Sequence, residues 1–390
     1  MTGGGSSSRW PSLNAPRITR LMLGDFRSYT MLDLAVSARL VAFTGENGAG
    51  KTNLLEAISL FAPGRGLRRA DLSDMVREQG RGTFSISIAL DSKDDNIRLG
   101  TGFDPEIGPA TRLCRVEGET VGSASAFAEY LRLVWMTPTM DGLFAGSAGD
   151  RRRFLDRLVL AIDPEHSSRV HALERALRSR NKLLEADRPD AGWLDAIERE
   201  VAETGVAVSA ARLETVNRLA ALILETRDDA SPFPWGALML EGVLESELAQ
   251  RSAVDVEDHY RALLKDNRYR DKAAGRTLIG PQAADLRVHH GPKMIAAERA
   301  STGEQKALLI GIVLAHARLV ATMSGTAPIV LLDEVAAHLD PRRRAALFDT
   351  LDALNAQVFM TGADKSAFGD LPTSSELFLV TPGQVDLIAA

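Results

Sequence analysis

Two short segments of this chain carry residue types that can act on phosphate, and a third can bind it. Gly45, Glu46, Asn47, Gly48, Ala49, Gly50, Lys51 and Thr52 follow the pattern G-x-x-x-x-G-K-[ST]. Its glycines let successive backbone N–H groups curl around phosphate oxygens, and a helix opening near Lys51 turns its positive end towards them. Lys51 then reaches the terminal phosphates of a nucleotide, and the Thr52 hydroxyl can ligate Mg2+. Ile329, Val330, Leu331 and Leu332 make an apolar run that ends in Asp333 and Glu334. A strand ending there sets Asp333 beside the Mg2+ held by Thr52 and turns Glu334 to the attacking water. Alone, such an ending is common in structural strands; paired with the phosphate loop it reads as a hydrolytic pair. Ser301, Thr302, Gly303, Glu304, Gln305 and Lys306 open a long apolar helix, and this start is either a simple cap or a second phosphate contact.

The elements that must position these residues follow from periodicity. Strands are predicted at 18–23 and 40–44, and the spacing of Leu54, Leu55, Ile58 and Leu60 predicts a helix after the glycine loop. Three further strands, at 84–90, 97–101 and 112–116, read as an antiparallel meander. From 150 to about 227 the apolar residues Leu155, Leu158, Val159, Ile162, Leu173 and Leu177 recur at helical spacing among many charges. Pro189 and Gly192 break this run, and Leu194, Ile197, Val201, Val208 and Leu213 resume it. Two arms folding back on one another and a plain helical bundle fit it equally. After 298 the expectation returns to α/β, with helices at 303–322 and 342–355 and strands at 329–332, 357–361 and 377–380. The expected organisation is a flexible tail (1–16), a first catalytic part (17–145), a helical lobe (146–285) and a second catalytic part (286–390).

Composition excludes some partners and leaves others to local charge. The chain has 390 residues and a formal net charge of -6, so any nucleic-acid contact must come from clusters of positive charge. The candidates are Arg65, Arg68 and Arg69; Arg151, Arg152 and Arg153 with Arg157; and Arg342 to Arg344. Such runs are solvated faces more often than phosphate sites. Hydrophobic residues make up 45% and charged residues 25%, and no apolar stretch is expected to reach bilayer length, so no membrane partner is expected. The single Cys114 and a Gly- and Ser-rich start without a signal-peptide pattern point to the cytoplasm.

The order of these segments resembles that of ABC-type ATPases, whose signature reads Ser-Gly-Gly-Gln. Ser301, Gly303 and Gln305 match it in a shifted form, and His338, Leu339 and Asp340 resemble the D-loop. Gly24, Asp25, Phe26, Arg27, Ser28 and Tyr29 are similar to the Phe-Arg-Asn-Tyr element of RecF proteins. Arg151 to Asp156 resemble that family's Arg-Arg-x-Phe-Leu-Asp, and Thr277 to Pro281 its Thr-Leu-x-Gly-Pro. The resemblance to the RecF family runs from residue 18 to about 365. It implies an α/β fold with an ABC-type P-loop ATPase head and an inserted, mainly helical second lobe. It also implies ATP and Mg2+ as cofactors, with Glu334, Lys51 and Asp333 as catalytic residues. Arg27, Ser28, Ser301, Gly303, Gln305 and Asp340 join the phosphate loop as nucleotide contacts, the signature meeting ATP held by a second subunit. Implied partners are a second copy of the chain, duplex and gapped DNA, RecR and RecO, and indirectly RecA, in recombinational repair and the SOS response. The chain departs from the family at Gln282 to Asp285, shows no Q-loop glutamine around Met136 to Asp141, and has Thr361 where many ABC ATPases carry histidine. A transporter ATPase and an SMC-like clamp are the alternative readings.

Overall fold

The computed structural model describes residues 15–92, 96–108, 111–336 and 339–388. Most of the expected tail, and His338, lie outside the described residues. In chain order the first elements are β1 (Arg17–Phe26), β2 (Tyr29–Ala35), β3 (Leu40–Thr44), α1 (Lys51–Ser59), β4 (Phe84–Asp91), β5 (Asn96–Phe103), β6 (Arg112–Val116), β7 (Glu119–Thr120) and β8 (Leu133–Met136). Then come α2 (Ala148–Ile162), α3 (His166–Glu185), α4 (Ala191–Glu225), β9 (Gly236–Glu241), α5 (Val243–Leu248), α6 (Ala253–Asp266), α7 (Arg268–Ala274), β10 (Asp285–His290) and β11 (Ile295–Ala296). The chain closes with α8 (Thr302–Ser324), β12 (Ile329–Leu332), α9 (Pro341–Ala353), β13 (Val358–Gly362), β14 (Glu376–Thr381) and β15 (Gln384–Ile388).

The described residues form two compact units, the first within 15–135, 320–336 and 347–388, the second within 136–319 and 339–346. The first unit contains two sheets. One is antiparallel, in the order β2-β1-β4-β5-β6-β7, so the predicted three-strand meander is the outer part of a larger sheet that also takes in the first strand. β4 alternates buried and more exposed residues, as a sheet with one covered face requires. The other sheet has the order β15-β14-β3-β13-β12-β8, and within it β14, β3, β13 and β12 run parallel. All residues of β3, β12 and β13 are buried, which is why these strands read as unbroken apolar runs rather than alternating ones. Gln357, itself buried, ties the two sheets: its side chain accepts from the Ile18 N–H at 2.7 Å and donates to the Ile18 carbonyl at 3.0 Å.

The second unit differs from expectation in two ways. It begins before 146 and extends past 285, because β10 pairs with β9 and packs on α2. It is also not purely helical, since β9, β10 and β11 form a three-stranded sheet. That sheet was illegible beforehand because its short strands lie among strong helical patterns. α3 and α4 do pack on one another. Arg180 of α3 is fully buried there, donating to Glu198 of α4 (3.0 Å), to Asp271 of α7 (2.7 Å) and to the Thr277 hydroxyl (2.8 Å). A buried guanidinium is tolerable only with partners of this kind, and loss of one carboxylate would leave an uncompensated charge.

One expectation is corrected outright. α8 is long and apolar enough to cross a membrane by length and composition. Its apolar residues are buried within the protein, from Ala307, Leu308, Leu309 and Ile310 to Leu319 and Val320. A buried core helix passes the same hydropathy test as a spanning one. On this helix the buried His316 ring lies 2.9 Å from the Leu158 carbonyl and donates to it through Nε2–H. Burial pushes its pKa down to about 4, against a backbone hydrogen bond that raises it. The folded state therefore resists protonation that the unfolded chain accepts near pH 6.5, so this stability is complete above that pH and is lost as pH falls towards 4. His316→Gln, which keeps a donor for Leu158, is expected to flatten that loss. Thermal unfolding of both proteins across pH 7 to 4 checks this, and parallel curves would show that His316 does not contribute.

Candidate functional site

The carboxyl ends of β3, β13 and β12 lie side by side, and each delivers a polar residue to one edge of the parallel sheet. β3 leads into the glycine loop, where Gly45 has φ 147° and Gly50 has φ 114°. A Cβ on Gly45 would sit 2.2 Å from the Val380 carbonyl oxygen, and one on Gly50 would sit 2.8 Å from both Ser28 Oγ and Tyr29 Oη. Only glycine fits either place. Glu46, Asn47 and Gly48 are exposed at the tip, while Ala49 is buried. Lys51 is buried, and its ammonium donates back to the Gly45 carbonyl at 2.6 Å and the Glu46 carbonyl at 2.8 Å. Burial lowers its pKa, opposed by the charges of Glu334 and Asp333.

At the neighbouring strand end the Thr52 hydroxyl donates to Asp333 Oδ1 at 2.9 Å. Asp333 Oδ1 also accepts from the Thr361 hydroxyl at 2.7 Å, and the Glu334 N–H donates to that same hydroxyl at 2.8 Å. Glu334 holds a left-handed backbone with φ 50°. Two adjacent hard oxygens, one hydroxyl and one carboxylate, suit Mg2+, which takes few protein ligands and completes its shell with water and substrate phosphates. Among the described residues there is no cluster of three or more His, Cys, Asp or Glu that could hold a metal.

Arg27 and Ser28 lie between β1 and β2, beside α1. Three consecutive residues of the β1–β2 turn meet α1 and its cap at successive turns. Arg27 donates to Glu56 through Nε at 2.9 Å and Nη2 at 2.7 Å, Ser28 Oγ accepts from Asn53 Nδ2 at 3.0 Å, and Tyr29 Oη donates to the Gly50 carbonyl at 3.2 Å. The partners 56, 53 and 50 step back one helical turn at a time, so the turn runs along the helix like a splint. Arg68 also pairs with Glu56, at 2.9 Å, leaving that carboxylate fully buried between two guanidinium groups. Arg27 and Ser28 thus brace the phosphate-loop helix, with Ser28 exposed at the surface.

In the second unit Ser301, Thr302 and Gly303 lie at the start of α8, and Ser301 and Thr302 are exposed. The Ser301 hydroxyl donates to Glu304 Oε2 at 3.0 Å, and its N–H donates to the same oxygen at 3.1 Å. Lys293 Nζ lies 2.6 Å from the other carboxylate oxygen, and it is the main cause that pulls the Glu304 pKa down to about 2. Gln305 does not face outwards: it is buried and donates to the Glu298 and Ala300 carbonyls, bracing the loop from behind. Asp340 caps α9, accepting from the Arg343 N–H at 2.9 Å.

A family model described as RecF/RecN/SMC N terminal domain matches residues 17–384. A Rhizobium etli protein named DNA replication and repair protein RecF is 52% identical over 368 residues, 94% of this chain and 98% of the relative. A Mesorhizobium japonicum protein of the same name is 53% identical over 94% of this chain and 97% of its own length. The chain belongs to the RecF family. A solved structure of the recombination mediator protein RecF-ATPrS in the RecFOR pathway superposes with a TM-score of 0.84 at 20% identity, covering 97% of this chain and 100% of that one. The shared fold is the α/β ABC-type P-loop ATPase head with an inserted, mainly helical lobe.

The RecF motifs of the second unit prove to be internal braces. Arg151 is buried and holds Asp285 in a two-pronged pair at 2.7 and 2.8 Å. Arg152 donates to the Ala284 carbonyl at 2.8 Å, and the exposed Arg153 pairs with Asp150. Asp156 accepts from His166 and, through both oxygens, from Arg212. Burial pushes its pKa up, but these bonds outweigh it and hold it at about 2. The residues departing from the RecF pattern are occupied too, since Gln282 donates to the Thr277 and Ile279 carbonyls and Asp285 takes Arg151. Of the other predicted arginines, Arg65 forms an exposed pair with Asp71 at 3.1 Å, and Arg69 is exposed with φ 58°.

Glu56→Ala is expected to lower the unfolding free energy by about 2–3 kcal/mol, below the usual cost of breaking a buried pair because both arginines are partly exposed. Urea denaturation followed by circular dichroism checks it. A loss under about 0.5 kcal/mol would show that Glu56 does not hold the turn to the helix.

Proposed function

We propose that this RecF-family chain is an ATP-dependent DNA-binding protein of recombinational DNA repair, closing as an ATP-sandwiched dimer on duplex or gapped DNA. The observation that carries the reading is the contact between the Thr52 hydroxyl and Asp333, which joins the phosphate loop to the acidic strand end. Backbone N–H groups from 45 to 52 receive the nucleotide's phosphates, and Lys51 exchanges its loop carbonyls for the terminal phosphates. Bound Mg2+ at Thr52 and Asp333 would neutralise charge on those phosphates. Glu334 orients the attacking water and accepts its proton as the terminal phosphoryl group departs.

The signature segment meets the nucleotide of a second copy. Its Ser301 hydroxyl must then turn from Glu304 to a phosphate oxygen, an exchange between two anionic acceptors that needs no rebuilding of α8. Closure on DNA is driven by phosphate contacts, so binding is salt-dependent and tolerant of sequence. The exposed Arg65 and Arg69 are the best-placed contacts among the predicted arginines, because a surface ion pair such as that with Asp71 is weak enough to exchange for a phosphate. The family resemblance extends the proposal to action with RecO and RecR in loading RecA at gaps during the SOS response, in the cytoplasm.

Lys51→Ala is expected to abolish nucleotide binding and, with it, dimer formation, measured by equilibrium binding of a fluorescent ATP analogue and by sedimentation. Persistent ATP-dependent dimers would remove the phosphate loop from the mechanism. Glu334→Gln is expected to bind ATP, to lower turnover by about 100-fold or more, and to accumulate a dimer on gapped duplex with Mg-ATP. Unchanged turnover would mean that another group orients the water, and a monomer indifferent to ATP and DNA would sink the clamp reading.

A further inference from the structure

We propose that Thr361 is a positioning residue for hydrolysis, one hydroxyl fixing both the metal-side carboxylate of Asp333 and the backbone of Glu334. The inference rests on the reading of the site as an ATPase centre. Thr361 is the penultimate residue of β13, the strand between β3 and β12. The parallel register sets Leu332 opposite Met360 and Thr361 opposite Phe43, so Thr361 arrives at the sheet edge between the phosphate loop and the acidic pair. It is fully buried.

A hydroxyl has one hydrogen to give and lone pairs to receive. Thr361 gives its hydrogen to Asp333 Oδ1 at 2.7 Å and receives the Glu334 N–H at 2.8 Å. Because the hydrogen is committed to the carboxylate, its lone pairs are turned to Glu334, and the two bonds orient each other. Asp333 Oδ1 is also held by Thr52, so two hydroxyl donors, one from helix α1 and one from strand β13, converge on it. Glu334 needs this support, since its φ of 50° is a conformation that residues other than glycine seldom adopt. Release of its N–H would let the backbone relax and carry the Glu334 carboxylate off the line of attack. Displacements of about 1 Å in catalytic groups cost on the order of 100-fold in rate.

The test uses the full chain with Mg-ATP, comparing wild type, Thr361→Val and Thr361→Ser. Valine keeps the shape and removes the hydroxyl, and serine keeps the hydroxyl. Thr361→Val is expected to lower kcat by about 10- to 100-fold and raise the half-saturating Mg2+ concentration, while the KM for ATP moves less than about threefold. Thr361→Ser should recover kcat to within about threefold of wild type. Should the valine protein fail to fold, Thr361→Ala is read in its place. Wild-type kcat and Mg2+ dependence in the variant lacking the hydroxyl would overturn the inference, and so would a serine variant as slow as valine. A wild-type chain that neither binds nor hydrolyses ATP would instead overturn the ATPase reading on which it rests.

Discussion

The parallel alignment of β3, β13 and β12 is the constraint on which the rest of the site depends. Parallel neighbours present their carboxyl ends at the same edge, and a ligand site forms in the crevice just beyond them. Thr52 and Asp333 are 281 residues apart in the chain and Asp333 and Thr361 are 28 apart, yet the shared register brings their strands to an end at one level. The contacts among Thr52, Asp333, Thr361 and Glu334 follow from that register. The glycines follow as well: the loop leaving β3 must pass against Val380, Ser28 and Tyr29 so closely that no side chain fits at 45 or 50.

Charge is organised around a few buried or half-buried carboxylates. Glu56 gathers Arg27 and Arg68 against the phosphate-loop helix, Asp285 holds Arg151, Asp156 holds Arg212, and Glu198 with Asp271 neutralises Arg180. Each pairing joins segments distant in sequence, so these ions fix how helices and loops meet as much as how stable they are. The consequence for DNA is that an arginine count overstates the positive charge offered to an outside ligand. The residues left outward, such as Arg65 and Arg69, sit on the short loop after α1, in the same unit as the phosphate loop.

Several of the elements around the candidate site were legible from residue order alone. The glycine turn, the helix at Lys51 and the buried strand ending before Asp333 stand where they were expected because each depends on local chemistry: glycine where φ is positive, and apolar runs where both faces of a sheet are covered. The small sheet of the second unit was hidden because pairing between β9 and β10 joins residues about fifty apart, and neither strand is long enough to declare itself.

Residue types and spacing by themselves picked out a phosphate-loop pattern, an acidic strand end and a signature-like helix start, while the family followed from the resemblance of Gly24 to Tyr29, Arg151 to Asp156 and Thr277 to Pro281 and from the family model. Tertiary structure alone decided which polar residues face outwards. Gln305 turned inwards, Arg151 and Arg27 were taken up by carboxylates from other elements, and Thr361 gained its two partners from the residues that follow β12. The physical reason is that a side chain's role depends on what faces it across the fold. A charge or hydroxyl cannot be assigned to a ligand until its possible partners within the protein have been placed.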